Sequence, residues 1–437
     1  MESSAPANPA HNLDISVEET TEGRFLHCRI PLPTSENLPN ALLLEQTIAK
    51  QMQVIGQRCL AETLPLYDTD GEPIVLGGHR MTSKGQQNQT YQSQFGPIPT
   101  ARHIYQTSDG GRTYVPLEHN ARILNTATPH FSKMVAAKYA QANAGYVVKD
   151  LTEHHQRPIS DTLVREIASQ VGCLALSKEA HWNYRPTPSA KQVATIGLGY
   201  DGTCANICYE GWKNVMVASF TLYDRQGERL ESFYIAQAPE EGKTTFFARA
   251  DREVATLKKY YPQAIWVGIS DGAADLRPEL EKHCHQLILD FFHLSEYLAK
   301  VSPSMARGKQ RPEQWTEQTL TRLKEESGAA EAIYRELKAR QNKAGLGPDA
   351  AEQLRKTIGY LENNIDRTDY AEALAEHFPI GSGVTEAACK SIVKERFCGS
   401  GMKWTRAKLQ NLLTIRSLVK SSGRWDQFWA RFMTIGL

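Results

Sequence analysis

VATIGLGYDGTCANI (residues 193–207), NVMVASFTLYD (214–224) and ERLESFYIAQAP (228–239) are the runs that decide the fold class. Each run is rich in β-branched and aromatic residues, which favour strands. Turn signals at Asn206–Lys213 and Arg225–Glu228 separate the runs. The three runs therefore predict a three-stranded meander.

The chain beyond the meander alternates helix and strand. GKTTFFARADREVATLKKYYP (242–262) predicts an amphipathic helix closed by Pro262. QAIWVGISDGAADL (263–276) is an almost continuous apolar run, which is typical of a strand buried on both faces. A helix (277–286) and another buried strand (287–292) follow. This order indicates a ribonuclease-H-like fold of the α/β class, in which helices flank a mixed sheet.

Two aspartates follow strands of this predicted sheet. Asp201 lies at the predicted end of the first strand, and Asp271 at the predicted end of the fourth. In a ribonuclease-H-like sheet these two strands are neighbours, so their ends bring the carboxylates together. Each aspartate precedes a glycine, and an Asp-Gly turn is the alternative explanation for either residue alone.

A third acid stands in IGSGVTEAACKSIVKERFCGSGMKWTRAKLQNLLTIRSL (380–418). Gly381–Gly383 favours a helix start, and apolar residues at helical spacing follow. Glu386 then lies near the start of the helix, where the helix dipole favours an ionised acid. The alternative is an ordinary ion pair with Lys390, four residues later on the same face.

Asp201, Asp271 and Glu386 supply hard oxygen ligands, which suit Mg²⁺ or Mn²⁺. Two such ions about 4 Å apart would activate a water or a DNA 3′-hydroxyl and stabilise the leaving oxygen of a phosphodiester. Like charges at that distance cannot all stay ionised without a cation. The three acids therefore predict a catalytic Mg²⁺ or Mn²⁺ site.

The C-terminal motif occurs together with SDGAADL (270–276), LDFFHLSEYL (289–298) and YLENNIDRTDY (360–370). With these motifs, the chain resembles the DDE-type transposases of bacterial insertion sequences, specifically the ISKra group, and more distantly the mutator-like transposases. The resemblance covers roughly residues 90–432. It implies that Asp201, Asp271 and Glu386 are the catalytic acids.

The resemblance also implies that Asp290 and His293, in DFFH, match a signature near the active site of mutator-like enzymes. Helix capping and packing are the alternative roles for this pair. Relatives often carry paired cysteines in the N-terminal β region, which suggest a small zinc site. Here Ser108–Gly111 occupies that tip, so no zinc is expected.

Two further groups of cysteine and histidine residues invite a metal interpretation. His283, Cys284 and His285 are adjacent on a predicted helix and point in different directions, so a structural role is expected. Cys204 and Cys208 are expected to be reduced thiols of the core.

The N-terminal part divides by composition. Residues 1–22 are polar with an acidic patch, which predicts a disordered tail, and residues 23–128 predict an α/β region. Within that region, 42–55 predicts an amphipathic helix whose apolar face is buried, with dimerisation as the alternative. Residues 71–89 predict a loop, and 90–118 predict a hairpin or small sheet.

Residues 129–185 predict a helical region that resembles a helix-turn-helix. Ser160 is the expected N-cap of its clearest helix. Arg157 and Arg165 could reach DNA phosphates or base edges if that helix enters a groove. Short helix pairs of this kind are also common in proteins that do not bind DNA.

The predicted catalytic domain spans 191–293 and 379–437, and the charged, helical residues 294–378 form an insertion. The insertion either packs structurally or contacts DNA or a second subunit. From Ala387 onward, the chain contains ten Lys or Arg and only two acids, so this segment is strongly basic. A solvated basic face is the simple explanation, and contact with the DNA backbone is the functional one. The candidate DNA contacts are Lys390, Lys394, Lys403, Trp404 and Arg406.

Composition sets limits on localisation. The net charge of +1 neither requires nor excludes nucleic acid, and the eight cysteines form no C-x-x-C pair. No apolar run approaches the ~20 residues of a membrane span, and the N-terminus lacks the pattern of a signal peptide. We therefore expect a cytoplasmic, nucleoid-associated protein without membrane contact.

These features predict a DNA transposase. It would bind terminal inverted repeats, cut the transposon ends by metal-dependent hydrolysis and join the freed 3′-hydroxyl to target DNA. Because two ends must be held at once, a homodimer or a higher synaptic oligomer is implied. The alternatives are a domesticated, catalytically inactive DNA-binding protein and a ribonuclease-H-like nuclease of repair or RNA processing.

Overall fold

A computed structural model of the protein describes residues 13–32, 40–188, 190–343 and 345–435. These residues belong to two compact units. One unit ends at Cys173 and takes in the chain from Trp429 onward, and the other is Leu174–Phe428. This division is coarser than the five segments predicted from the sequence. Within the described ranges, no helix combines the length and the apolar character that a membrane crossing needs.

The first unit has two small antiparallel sheets and a helical part. β1 pairs with β2, and the remaining strands form a sheet in the order β3-β4-β5-β6. The elements are β1 (Asp14–Thr20), β2 (Gly23–Arg29), α1 (Ala41–Thr63), a 3₁₀ turn (Leu64–Tyr67), β3 (Ile74–Leu76), β4 (His79–Ser93), β5 (Gly96–Thr107), β6 (Gly110–Tyr114), α2 (Pro116–Asn120), α3 (Pro129–Gln141), α4 (Ala144–His155) and α5 (Asp161–Glu179), which continues into the second unit.

Two predictions for this unit are wrong in part. The disordered tail predicted over 1–22 is a strand from Asp14, because β1 pairs with β2 along its whole length; residues 1–12 lie outside the described residues. The loop predicted over 71–89 contains β3 and most of β4. The side chains of β4 are mostly polar and exposed, so no apolar alternation marks the strand. The hairpin predicted over 90–118 is present as β4, β5 and β6.

Helix α1 confirms the predicted helix but not its buried face. The helix begins at Ala41, and the side chain of Asn40 caps it by accepting a hydrogen bond from the Leu43 amide at 3.0 Å. Its leucine-rich face, including Leu42, Ile48 and Met52, is exposed, whereas the polar Gln51 is buried. Apolar periodicity identified the helix, but it did not identify the face that packs.

The predicted N-cap of α5 is confirmed. The Ser160 hydroxyl accepts a hydrogen bond from the Leu163 amide at 3.2 Å. Val164 and Ile167 are fully buried in a core that α5 shares with α3 and α4. Local capping chemistry and the apolar face of the helix therefore agree on where α5 starts.

The second unit contains one mixed sheet and the remaining helices. Its elements are β7 (Thr195–Ile207), β8 (Gly211–Tyr223), β9 (Arg229–Gln237), α6 (Thr244–Tyr260), β10 (Ile265–Ser270), α7 (Arg277–Glu281), β11 (Gln286–Leu289), α8 (Phe291–Met305), α9 (Pro312–Glu325), α10 (Ala329–Gln341), α11 (Pro348–Glu362), a 3₁₀ turn (Ile365–Arg367), α12 (Tyr370–Ala375), α13 (Gly383–Ala388), a π-helical segment (Cys389–Lys394), α14 (Glu395–Phe397), α15 (Arg406–Lys420) and α16 (Arg424–Ile435), which passes into the first unit.

The sheet order is β9-β8-β7-β10-β11. β7, β8 and β9 are antiparallel neighbours, whereas β10 runs parallel to β7 and β11 runs parallel to β10. Trp266, Val267 and Ile269 of β10 are buried, as expected for a strand covered on both faces. The α/β class and the mixed sheet predicted from the sequence are confirmed.

The chain between Phe291 and Ala375 is helical in every described element. Apolar residues of α8 to α12 share a core with Val267, Ile269 and Ile288. The helices therefore cover one face of β10 and β11, the two strands at the parallel side of the sheet.

The helix predicted after Gly383 is not regular. α13 passes directly into the π-helical segment, where backbone hydrogen bonds reach one residue further than in an α-helix. α13 packs closely on β7 at Gly199: a Cβ there would lie 2.0 Å from the Thr385 hydroxyl oxygen. The missing side chain of Gly199 therefore lets the helix that carries Glu386 approach the strand that carries Asp201.

Candidate active site

Asp201 lies within β7 and not at its end, which corrects the prediction. The strand continues to Ile207 because it stays paired with β8, and Asp201 itself pairs with Val217. The parallel pairing with β10, however, ends at Gly199 opposite Ile269. Asp201 therefore lies on β7 two residues beyond the last residue that pairs with β10.

Asp271 directly follows the last residue of β10. Its carboxylate accepts a hydrogen bond from the Ala273 amide at 3.0 Å, and Gly272 has a φ of +95°, so an Asp-Gly turn is present. Its main-chain carbonyl accepts a hydrogen bond from the Tyr360 hydroxyl at 2.8 Å. The turn and Tyr360 fix the backbone at this strand end.

The Asp201 carboxylate is held by two short contacts and carries a raised pKa. Burial raises the pKa, whereas hydrogen bonds from the Gly202 amide, at 2.6 Å, and from the Cys389 thiol lower it. The negative charge of Asp271 raises the pKa further, and the Lys394 ammonium lowers it. The Asp271 carboxylate is thus close enough to oppose the ionisation of Asp201.

Glu386, on α13, belongs to a second acidic pair. The Ser382 hydroxyl lies 2.8 Å from a Glu386 carboxylate oxygen and also contacts the Asp290 carboxylate. A hydroxyl has one proton to donate, so only one of these contacts can be a hydrogen bond from serine to an ionised acid.

The pKa of Glu386 reflects this arrangement. The hydrogen bond from Ser382 lowers the pKa, but partial burial, the nearby Asp290 carboxylate and the charge of Asp201 together outweigh it. The net effect is a raised pKa. The charges of both Asp290 and Asp201 therefore raise the pKa of Glu386. The two pairs form one acidic cluster: Asp201, Asp271, Asp290 and Glu386.

Asp290 and His293 have clear local roles. Asp290 is fully buried and caps α8, where its carboxylate accepts hydrogen bonds from the amides of Phe292 and His293 at 2.7 and 3.3 Å. The His293 ring contacts Tyr297 and Tyr360, and these two tyrosines stack with ring centroids 4.2 Å apart. Capping and packing, the alternatives considered from the sequence, are therefore both present beside the acidic cluster.

The acidic cluster has the chemistry of a divalent-metal site but not a closed set of ligands. Four carboxylates at one end of the sheet are hard oxygen donors, and two of them have raised pKa values, which a bound cation would reverse. In the described ranges, no three side chains of His, Cys, Asp or Glu converge tightly enough to hold an ion as they stand. Carboxylate oxygens are the donor type that Mg²⁺ and Mn²⁺ prefer.

A buried arginine lies below the cluster. Arg367 donates hydrogen bonds to the Ser270 hydroxyl at 3.1 Å and to the Asn364 side chain, and its Nε has no protein partner. Burial lowers the pKa of Arg367, while the charge of Asp271 raises it. The guanidinium therefore offers Asp271 a fixed positive charge from inside the fold.

Sequence reasoning did not single out Ser382, Cys389 or Arg367 as site residues. Arg367 and Tyr360 lie in YLENNIDRTDY, which was noticed only as part of the resemblance. Ser382 was predicted as part of a helix cap, and it does occupy the N-cap position, but its hydroxyl contacts acids and makes no capping bond. No sequence pattern marked Cys389, because its contact with Asp201 depends on how the helix packs against β7.

The predicted DNA-binding residues fall into two groups. Lys390, Lys394 and Lys403 are exposed, and Arg165 is exposed with an ion pair to Asp161 at 3.2 Å. These side chains remain accessible to a phosphate backbone.

Arg157 is not accessible, which corrects its prediction. The side chain is only 4% exposed. It donates hydrogen bonds to the Ser93 carbonyl and the Gln92 side chain, both at 2.8 Å, and lies over the Phe131 ring. Arg157 therefore joins the small sheet to the helical part of the first unit.

Trp404 and Arg406 also make protein contacts, although Arg406 stays exposed and Trp404 is only partly buried. The Trp404 indole donates a hydrogen bond to the Phe397 carbonyl at 3.2 Å, and its ring packs against Phe397. Arg406 forms a two-point ion pair with Glu210 and a hydrogen bond to the Pro239 carbonyl at 2.8 Å. Both residues anchor the segment after α14 to the β7–β8 hairpin.

The remaining cysteine and histidine predictions have separate outcomes. The side chains of His283 and His285 have different partners: His283 contacts Asp251 at 2.7 Å, and His285 accepts a hydrogen bond from the Trp266 amide at 2.9 Å. Burial raises the pKa of the Cys284 thiol to about 12. Cys204 is exposed, so its prediction as a core thiol is wrong, because its side chain points to the open face of β7.

Comparison with known proteins gives no family. No protein-family model matches the chain, and no curated protein matches it.

Proposed function

We propose that the protein is a DNA transposase of the DDE type with a ribonuclease-H-like catalytic domain. The observation that carries the proposal is the acidic cluster: Asp201 lies on β7, Asp271 directly follows the neighbouring parallel strand β10, and Glu386 lies on a helix packed against β7. The strand order β9-β8-β7-β10-β11, with a meander followed by two parallel strands, is what such a domain requires. The exposed Lys390, Lys394 and Lys403 supply positive charge on the same C-terminal segment.

In this proposal, Asp201, Asp271 and Glu386 hold Mg²⁺ or Mn²⁺. The bound ions would supply an activated hydroxyl nucleophile and charge stabilisation at the scissile phosphate. Lys394, whose ammonium already interacts with Asp201, binds a phosphate oxygen and positions the strand. Ser382 and Asp290 orient Glu386, and Arg367 holds the strand end that carries Asp271.

The biological role sets further expectations. Terminal inverted repeats and target DNA are the proposed partners, in a homodimer or a higher synaptic oligomer that holds two ends. The proposed location is the cytoplasm, at the nucleoid. Inverted repeats bracketing the gene would supply the natural DNA substrate.

A cleavage assay tests the proposal. The substrate is a labelled duplex that carries the DNA flanking the gene, incubated with Mg²⁺ or with EDTA. We expect strand cleavage at the element's end with Mg²⁺ by the wild type, and loss of cleavage with retained binding for Asp271→Asn. Asp349→Asn, an exposed acid at the start of α11, is the matched control and should cut normally. Undiminished cutting by Asp271→Asn would remove Asp271 from the site.

One observation favours a second function, a DNA-binding protein without cleavage activity. The cluster holds no tightly converged set of three metal ligands in the described part of the chain. Binding of the flanking duplex without Mg²⁺-dependent cleavage would support this alternative. Cleavage that ignores the flanking sequence would instead support a general ribonuclease-H-like nuclease.

A further inference from the structure

The tip of the β7–β8 hairpin exposes two aromatic side chains. Tyr209 is fully exposed, and Trp212 is 60% exposed. An exposed tyrosine and an exposed tryptophan three residues apart leave aromatic surface open to a partner, and both residue types are enriched at interfaces. The tip therefore presents a surface that needs an explanation beyond folding.

The backbone holds these side chains in place. Tyr209 has a φ of +66°, an uncommon value for a residue other than glycine. Two hydrogen bonds fix the base of the tip: the Cys208 amide donates to the Trp404 carbonyl at 2.9 Å, and the Trp404 amide donates to the Asn206 carbonyl at 3.0 Å. Main-chain hydrogen bonds therefore fix the base of the hairpin tip that carries Tyr209 and Trp212.

Positive charge surrounds the tip. Lys213, on β8, and Lys403, next to Trp404, are both exposed. Glu210, the acid of the turn, is neutralised by its two-point contact with Arg406. The surface thus combines aromatic rings with lysines and no uncompensated acid in the turn, which is the combination that binds single-stranded nucleic acid.

The register of the hairpin relates this surface to the acidic cluster. Lys213 pairs with Ala205, four residues from Asp201, so Lys213 and Asp201 share one face of the strand pair. Trp212 pairs with Asn206 and lies on the opposite face. The end of β7 lies about 20 Å along the strand from Asp201, which equals about six base pairs of duplex rise.

We propose that Tyr209 and Trp212 form a stacking site for unpaired DNA bases, with Lys213 and Lys403 binding the adjoining phosphates. The proposal rests on the proposed function in one respect: the unpaired bases belong to a DNA end whose scissile phosphate lies at the acidic cluster. Stacking is tolerant of sequence because every base has an aromatic face, so the site takes single-stranded DNA of any sequence.

The test measures binding of a fluorescein-labelled oligothymidylate of about 20 nucleotides, a length above the sites that single-strand binders use. We expect Tyr209→Ala and Trp212→Ala each to raise Kd at least about fivefold, since each stacked base contributes about 1–3 kcal/mol. Trp212→Phe, which keeps a ring, should lose less affinity than Trp212→Ala. Tyr260→Ala, an exposed aromatic at the end of α6, is the matched control and should bind like the wild type.

Two further readouts separate the outcomes. Oligothymidylate should quench tryptophan fluorescence in the wild type, and this component should be absent in Trp212→Phe. Failure of the wild type to cleave the flanking duplex, with the Kd values for oligothymidylate as expected, would sink the transposase proposal but not the stacking site. Unchanged Kd values for both alanine variants would overturn the stacking site. Loss of self-association on sedimentation, with DNA binding unchanged, would also overturn it and assign the tip to a protein interface.

Discussion

The Cys389 thiol donates a hydrogen bond to the Asp201 carboxylate, across the contact between the π-helical segment and β7. Cys389 is buried, and the pKa of its thiol is raised by burial and by the charge of Asp201, so the thiol stays protonated and remains a donor. A π-helical segment is rare and is frequently found at functional sites. Here it follows Glu386 directly and carries the residue that supports Asp201.

Replacing Cys389 by alanine removes a contact that lowers the pKa of Asp201. We expect the pKa of Asp201 to rise further, so that the acid side of the pH profile for Mg²⁺-dependent cleavage moves to higher pH. The measurement is the cleavage rate as a function of pH. We expect the acid side of the profile to move while the maximum rate changes less. Cys59→Ala, at an exposed cysteine, is the control, and an unshifted profile for Cys389→Ala would contradict the role of the thiol.

The acidic cluster also predicts how stability depends on pH. The pKa values of Asp201 and Glu386 are raised above their ordinary values of 3.8 and 4.5, so the folded protein binds protons more tightly than the unfolded chain. Protonated Asp201 and Glu386 therefore stabilise the fold fully when the pH is below their ordinary pKa values. This stabilisation is lost as the pH rises through their raised pKa values in the folded protein. Repulsion among the ionised acids destabilises the fold at neutral pH.

Asp201→Asn should then melt at a higher temperature than the wild type at pH 7.5 in EDTA, by a few degrees, because about 1 kcal/mol corresponds to about 2–4 °C in a domain of this size. The difference should shrink at pH 4, where the acids are largely protonated. Added Mg²⁺ should raise the melting temperature of the wild type more than that of the variant. A constant difference between the two proteins at both pH values, insensitive to Mg²⁺, would show that the acids do not repel each other.

Much of the second unit could be predicted because its strands carry strong local signals. The apolar run before Asp271 indicated a strand buried on both faces, and β10 does pair with β7. The approach of Glu386 depends on Gly199 and Thr385, which are far apart in sequence and carry no joint pattern. Local patterns and the resemblance therefore predicted the acids but not the residues that position them.

The remaining errors have physical causes. Asp201 was predicted to lie at a strand end, but pairing with β8 continues β7 to Ile207. Arg157 was predicted as a candidate DNA contact, yet its guanidinium donates hydrogen bonds to the Ser93 carbonyl and to Gln92 inside the fold. Both outcomes are set by tertiary contacts, which a local pattern does not contain.

The close packing of α13 on β7 gives a stability prediction. In Gly199→Ala, the new Cβ would lie 2.0 Å from the Thr385 hydroxyl, so the Thr385 side chain or the helix that carries it must shift. We expect a loss of about 1–3 kcal/mol in the free energy of unfolding, measured by urea denaturation, with cleavage reduced further because Glu386 moves. Gly199→Ala combined with Thr385→Ala should recover part of the stability. Gly359→Ala, in a helix with nothing within 4 Å of the new Cβ, should instead stabilise the protein by up to about 1 kcal/mol.

Arg157 and Arg165 are eight residues apart and predict opposite phenotypes. Arg157→Ala leaves the buried Ser93 carbonyl without its side-chain donor and should lower the free energy of unfolding by about 1–3 kcal/mol. Arg157→Lys should rescue little, because an ammonium cannot reproduce two diverging guanidinium contacts. Arg165→Ala removes only an exposed i,i+4 ion pair, so its effect on stability should stay within about 0.5 kcal/mol. Urea denaturation measures both effects, and binding of a short duplex at two salt concentrations shows which arginine contacts phosphate.

Arg165→Ala should weaken duplex binding and flatten its salt dependence, whereas Arg157→Ala should bind normally at temperatures where it is folded. This result would show that the helical part of the first unit contacts DNA through the exposed arginine alone. Equal loss of binding in both variants without any loss of stability would contradict the buried role of Arg157.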